Sequence, residues 1–559
     1  MSCPVKRRWN LFPEVLTADD SPAAPVEQRP VWVFSLAVLI AFCLLYAFTA
    51  QRGVSWQDSG EFQYRVLVGD YHWHSGIARA HPLYILLARG FAAGFAPASR
   101  LHAINLLSGL GMSVALAFLA ALIAELTRSR WRALLAVALL GCAHMGWWMA
   151  TIAEVYTWSL AGLMAEVFLV WRYVTTRQGR WLILLFAVNG LHAAIHNTAL
   201  LNLPVHLALL VGHWRSAGRG RKAALRAAAI EPSGPAAGVA ATRWALLAGV
   251  MLVWLAGASM LVGLVIQEAW RTGRVLGALQ SLLFGTGYQE QVLGLQSPEW
   301  RQVGANLALA GLSLLNPGWL LAGIGLCRAR IGALRKPLLA LSLLHGLFWI
   351  RYFVPDQATF VLPSLGLLAI WAGAGCGSRA TAGVAASGAR GRALMRLLPQ
   401  EWRGGLVTIL LGLLCAAGLP WLLSHTAAAT GLEVRRSRQL PFRDEARYWL
   451  VPWKQNEDSA ARFVAAVDAQ LGSDDWLVAD ATAAGPLLAA RAAGGLSDHW
   501  RLVTPWSAPA EQTGALAALA RDARVFVVSP VKGYAPAWLL TPGLRAVQEG
   551  VLWRVVGGE

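Results

Sequence analysis

Apolar runs of about 20 residues, the length of helix that crosses roughly 30 Å of hydrocarbon, recur along this chain from Val31 to Leu423. Of its 559 residues, 56% are hydrophobic and only 14% charged, so a bilayer rather than water is the natural solvent for most of the sequence. Runs such as Leu106 to Ile123 are apolar on every face, whereas a membrane β-barrel would alternate apolar and polar residues in short segments. Helices are therefore expected to do the spanning.

The candidate spans are 31–50, 104–124, 133–150, 157–171, 181–198, 199–213, 244–266, 303–326, 338–353, 359–375 and 404–424, about eleven in all. Pro204 and three histidines, His192, His196 and His206, interrupt the 181–213 stretch before its last residue. It is taken as two spans, because a single one would turn every later basic loop outward. The net charge of +18 sits in short tracts between spans: Arg128, Arg130 and Arg132; Arg172, Arg177 and Arg180; Arg215 to Arg226; Arg328 to Lys336; Arg379 to Arg403. That distribution reads as a topology signal rather than a nucleic-acid surface, and it puts the N-terminus in the cytoplasm. More than twenty polar or mixed residues precede the first run, which makes it an anchor rather than a cleaved signal. The six cysteines have no metal-ligand spacing and imply no disulfide framework.

Three parts follow: a cytoplasmic tail (1–30), a membrane helical bundle (31–424) and an extracytoplasmic α/β domain (425–559). In the last part the long apolar runs stop and close to half of all Asp and Glu residues collect. Strands are expected at Trp476 to Ala479, Arg501 to Thr504, Val525 to Val528 and Leu552 to Val556, between helices at 458–471, 484–493 and 511–521. Autonomous folding is expected of it. Its Gly-rich stretch Ala492 to Leu496 lacks the spacing of a phosphate-binding loop. The Ala/Gly/Arg-rich stretches 215–240 and 378–396 read as cytoplasmic linkers.

The polar residues richest in chemistry follow the first span: Ser55-Trp56-Gln57-Asp58-Ser59-Gly60-Glu61, then Asp70-Tyr71-His72-Trp73-His74, then Arg79-Ala80-His81-Pro82-Leu83-Tyr84. Carboxylates three apart share a helix face and suit general-base work or cation binding. Equally, Asp58-x-x-Glu61 is a capping box, with Asp58 as N-cap. His81-Pro82 reads as the start of a helix, and His72 with His74 as a two-imidazole pair that lacks a third metal ligand.

Trp56-Gln57-Asp58-Ser59-Gly60-Glu61, Gly69 and His81-Pro82-Leu83-Tyr84 resemble a family of bacterial and animal membrane proteins that includes a transmembrane protein O-mannosyltransferase. So do Glu154-Val155-Tyr156 and Tyr352-Phe353-Val354-Pro355-Asp356 with Leu362-Pro363. The resemblance spans residues 31 to 375, with a contracted His-Pro-Leu-Tyr where relatives often have His-Pro-x-x-x-Pro-Leu-Tyr. It implies a GT-C glycosyltransferase, with a polyprenyl-phosphate sugar as donor and an acidic residue of the first outer loop at the reacting centre.

The expected topology puts Asp58, Glu61, Glu154 and Asp356 at one outer interface, away from the bilayer centre, where a charge costs about 2.5–3.5 kcal/mol. The expectations are therefore as follows. A mannose-like sugar passes from a polyprenyl phosphate to an acceptor hydroxyl on a protein, lipid or glycan, at the outer face of what is taken to be a bacterial inner membrane. Asp58 is the general base and Glu61 orients it or the acceptor; Arg65, Arg79, His81 and Arg351 are the cationic groups that face the phosphate; Glu154, Tyr156, His196 and Asp356 bind substrate. The arginines serve equally as interfacial anchors, and His192 with His196 as a polar contact between helices. No nucleotide or soluble cofactor is required, and there is room for a divalent cation. The rival readings are a transporter or lipid flippase, with Glu166, His192 and His196 lining its path, and a non-catalytic envelope subunit. Trp56, Trp73, Trp147 and Trp148, among 27 tryptophans, are expected mainly as an aromatic belt.

Overall fold

The computed structural model describes residues 31–227, 237–286, 297–329, 331–375, 410–412, 414–430, 440–505, 524–540 and 543–557, with side chains for all but 217–227, 237–243, 416–417 and 428. The tail 1–30, residues 228–236 of the first basic linker, the whole of the second, the start of span 404–424 and the helix expected at 511–521 lie outside these residues; the rest of the first linker is not a loop but the ends of helices Leu203–Ala227 and Ala237–Gly257.

The chain is mainly helical and is an integral membrane protein. Among the described residues, four helices are long and apolar enough to cross a membrane: Val31–Thr49, Pro97–Thr127, Gly332–Arg351 and Gln357–Gly375. The expected spans 244–266 and 303–326 are not straight. Trp244–Gly257 meets Ser259–Thr272 at 75°, and Trp300–Leu314 meets Pro317–Arg328 at 88°. The first bend falls where Gly257 presses on Gly190 of helix Gly179–Ile195. A methyl on Gly257 would sit 2.8 Å from both the Ala187 oxygen and the Leu191 nitrogen, so only glycine lets the backbones meet there. The second falls at Asn316-Pro317, where proline has no N–H to give and forces the residue before it out of the helical region. Asn316 accordingly lies at φ −73° and ψ 120°, and its side chain accepts from Gly318 N.

The 181–213 stretch breaks into two helices, Gly179–Ile195 and Leu203–Ala227, around extended His196 and a 3₁₀ turn at Asn197–Asn202. Inside this bundle Glu166, fully buried, accepts from His192 Nδ1 at 2.8 Å, Asn189 Nδ2 at 3.1 Å and Asn202 Nδ2 at 2.7 Å. His345 and Trp254 bond to Asn202 and Asn189 in turn. A buried carboxylate is tolerable only when satisfied in this way. Glu166 and His192 thus form a buried polar network that joins helices, and it continues from His192 Nε2 through Ser159 and Thr198 to His196.

After helix Leu419–Thr430 the chain forms a five-stranded sheet of order β2-β1-β3-β5-β4: β1 Trp476–Val478, β2 Arg501–Val503, β3 Val525–Val527, β4 Leu544–Glu549 and β5 Leu552–Gly557. β1 pairs in parallel with β2 and β3, with helix Ala481–Ala492 crossing between β1 and β2; β5 pairs antiparallel with β3 and β4. β4, absent from the sequence reading, is an edge strand joined to β5 through Gly550 at φ 61°.

This domain is seated directly on the membrane bundle. Lys454 N donates to Thr49 O, Thr151 Oγ1 to Pro452 O and Trp56 Nε1 to Ser459 Oγ, at 2.8 to 2.9 Å. Trp56 packs on Phe463, Trp147 on Trp453, and Trp148 against Tyr448 and Trp449. Trp56, Trp73, Trp147 and Trp148 are all buried, so they do not form a lipid-facing belt. Three of them are the anchors of this interface, where flat amphipathic rings suit a partly polar contact.

Candidate active site

Helix Gln57–Val68 carries Asp58 and Glu61. Its N-cap is Trp56, which makes no side-chain cap bond, so the capping-box expectation fails: Asp58 sits inside the first turn rather than before it. Its carboxylate lies 3.3 Å from Arg79 Nη2 and is half exposed, whereas Glu61, 3.5 Å from the same nitrogen, is buried. Gln57, just before Asp58, is held at φ 57°, and His81 at φ 48° caps helix Pro82–Ala93. Non-glycine residues in this left-handed region are strained and persist where the surroundings impose them.

The loop leading into the helix is fixed by a buried polar set. Gln63 accepts from Ser55 N at 2.9 Å and donates to Gly53 O and Asn105 Oδ1, each at 3.1 Å; Asn105 donates to Gln51 O at 2.9 Å. Ser59 donates to Glu154 Oε1 at 2.7 Å, and Glu154 N donates to Ser108 Oγ at 2.8 Å. Tyr156 donates to Asp356 Oδ2 at 2.7 Å. Four carboxyl groups from three separated segments thus gather at one end of the bundle, linked by Ser59, Tyr156 and Arg79.

Their environments differ. Burial first, then the charge of Asp58, pushes the Glu61 carboxyl up to about 8 against the pull of Arg79 and Arg65, so it holds a proton at neutral pH. Burial also raises Glu154 well above the usual carboxylate range, and raises Asp356, with Asp58 adding to each shift. Differing environments of this kind can divide acid from base roles among carboxyl groups, and the Asp58 side chain is half exposed.

His81 Nδ1 donates to Ile195 O at 3.0 Å, and its ring stacks on His196 at 4.9 Å. His196 Nδ1 accepts from Thr198 N and Oγ1 at 3.2 and 2.9 Å, which leaves its proton on Nε2. Tyr156 and Phe360 complete the aromatic wall around His196. Burial and the neighbouring His196 and Arg65 hold His81 well below its ordinary pKa. It is neutral, not the cation the sequence suggested.

Arg65 is also used differently from expectation. Buried, it donates to the carbonyls of Arg79 and Ala80 and lies 4.9 Å over the Trp73 ring, so it builds the loop that presents Arg79. Arg351 is exposed, over Phe353 at 5.2 Å and outside the hydrogen-bonded cluster. His72 bonds Gln267 at 2.6 Å and His74 packs on Trp73. Among the described residues, no three His, Cys, Asp or Glu are placed to hold a metal ion. The sequence reading missed Ser59, Gln63, Asn105 and Ser108. The last two had a signal: they are polar, three apart and on one face of an otherwise apolar run.

No protein-family model and no curated protein matches the chain. Two crystal structures of ArnT from Cupriavidus metallidurans are similar to it over 93% of this chain and 97% of theirs. The one bound to undecaprenyl phosphate is 12% identical with a TM-score of 0.51, and the apo one 14% identical with a TM-score of 0.50. Across so little identity the likeness is one of fold, and the fold is that of ArnT.

Proposed function

We propose that this protein is a membrane glycosyltransferase that moves a sugar from a polyprenyl phosphate to an acceptor hydroxyl at the extracytoplasmic face. The observation that carries the reading is the convergence of Asp58, Glu61, Glu154 and Asp356 around Arg79 at the domain-bearing end of the bundle, with Asp58 half exposed and free of any capping duty. ArnT, of the same fold, binds undecaprenyl phosphate.

In this reading Asp58 takes the proton of the acceptor hydroxyl as its oxygen attacks the anomeric carbon. The bond from that carbon to the phosphate oxygen breaks, and polyprenyl phosphate leaves with the bonding pair. Arg79 and the Nε2–H of His196 face the growing negative charge. Protonated Glu61 holds Arg79 without competing for the proton, while Glu154, Tyr156 and Asp356 shape the sugar pocket. A mannose-like sugar remains the proposal for the donor, with an inner membrane location, a cytoplasmic N-terminus and the domain from 425 to 559 on the periplasmic side. Purified full-length protein in lipid nanodiscs, given radiolabelled polyprenyl-phosphate mannose and a panel of acceptors, should release free polyprenyl phosphate and label an acceptor. Absence of turnover with every polyprenyl-phosphate sugar tried would defeat the reading.

A further inference from the structure

Helix Ala481–Ala492 of the C-terminal domain crosses the first turn of helix Gln57–Val68 at Gly485 and Gly60. A methyl on Gly485 would fall 2.5 Å from the Gln57 carbonyl oxygen and 2.9 Å from the Glu61 nitrogen; one on Gly60 would fall 2.8 Å from Gly485 C and Pro486 N. Neither glycine has a positive φ, and glycine weakens a helix interior. The close crossing is therefore what requires Gly485, while Gly60 is pressed both by the crossing and by the Ser55 carbonyl of its own loop. The backbone that touches Gly485 is that of Gln57, strained at φ 57° immediately before Asp58, and of Glu61. The preceding residue, Trp56, is held by the same domain through Ser459 and Phe463.

We propose that Gly485 is a positioning residue: the C-terminal domain, through Gly485 with Ser459, holds residues 56–61 in the conformation that aims Asp58 and Glu61 at Arg79. The domain is then a working part of the site. This inference rests on the glycosyltransferase reading. It goes further in assigning to a segment more than 400 residues distant in sequence the geometry of the proposed base.

The test uses the full-length protein in nanodiscs. Gly485→Ala favours the helix that bears it, so the domain should stay folded by circular dichroism and thermal melting. A displacement of the Asp58 turn by an ångström costs on the order of 10²-fold in rate. The expected result is a loss of about 10- to 100-fold in kcat and a shifted pH profile of kcat, with affinity for the polyprenyl-phosphate sugar within about threefold of wild type. Gly495→Ala, whose methyl would meet only Ala490 O at 3.6 Å, should behave as wild type. Should Gly485→Ala misfold, Ser459→Ala, which removes the acceptor for Trp56 and the hydroxyl that donates to Glu457 within the same domain, decides: reduced kcat with donor affinity retained supports the proposal. Wild-type kcat and pH profile in the folded Gly485→Ala protein, or in Ser459→Ala when that variant decides, would overturn it. An inactive wild-type protein would instead overturn the glycosyltransferase reading, so the two failures are distinguishable.

Discussion

The hydroxyl of Tyr156 donates to Asp356 Oδ2 across 2.7 Å, joining the start of helix Tyr156–Thr176 to the turn before helix Leu362–Gly375. Glu154, two residues before Tyr156, receives the Ser59 hydroxyl. The segment 154–156 therefore ties the Asp58 helix to the Asp356 turn, and a change at either bond is felt across the site.

A double-mutant cycle on Tyr156→Phe and Asp356→Ala tests this tie. Each single change leaves a partly buried polar group without its partner, at a cost of about 1–3 kcal/mol. The double variant should be less destabilised than the sum by on the order of 1 kcal/mol. Melting of the purified variants reads it; additive losses would mean that the bond does no work.

Glu61 gives stability a pH dependence whose sign is fixed. Its folded pKa of about 8 exceeds the ordinary value of 4.5, so between those limits the folded state binds more protons than the unfolded one. The contribution is fully present below about 4.5 and is lost as pH rises through about 8. Glu61→Gln, which mimics the protonated acid, should flatten this fall. Thermal melts from pH 5 to 9 measure it, and an unchanged slope in the variant would show that Glu61 is not the group responsible.

The carboxylates were legible in the sequence because charged residues beside long apolar runs have few places to go: Asp58, Glu61, Glu154 and Asp356 were all placed at one end of the bundle from patterning and resemblance. What each side chain does was not. Arg65 reads like any interfacial cation until the fold turns the 79–80 carbonyls toward it. A tryptophan at the end of a span looks the same whether lipid or a second domain covers it, which is why Trp56 and Trp148 were misread. The bend at Pro317 had a local signal, whereas that at Ala258 depends on Gly257 meeting Gly190, a contact no periodicity encodes. Gly485 is equally silent, since nothing around it in the sequence refers to Gln57. The edge strand β4, Leu544–Glu549, keeps three exposed positions and so lacks the apolar signature of a buried strand.

Glu166 provides a further prediction. Three donors converge on its carboxylate inside the bundle, and leaving such donors without their acceptor costs about 3–5 kcal/mol. Glu166→Leu should therefore lower yield and melting temperature sharply. The molecules that do fold should transfer sugar at close to the wild-type rate, because Glu166 touches none of Asp58, Glu61 or Arg79 and reaches His196 only through His192, Ser159 and Thr198. Specific activity per folded protein separates this scaffold role from a part in transfer: a folded but inactive variant would give it the latter.

Asp58→Asn bears on the reaction itself. Asp58 caps no helix, and its pair with Arg79 is half exposed, so the pair is worth roughly 0–1 kcal/mol and a first-turn acid about 0.3–1 kcal/mol. Asparagine keeps the size and the polar surface. Folding and donor binding should therefore persist, while loss of a general base lowers transfer by about 10²–10⁴-fold. The substitution leaves a second signature. The Asp58 charge helps to raise the pKa of Glu61, so its removal should move the loss of stability with rising pH to a lower pH, a shift that melts in the two backgrounds can read. Slow transfer with normal donor binding and this shift together mark Asp58 as the base coupled to Glu61. Near-normal transfer in the folded variant would remove Asp58 from the chemistry and turn attention to Glu154 and Asp356.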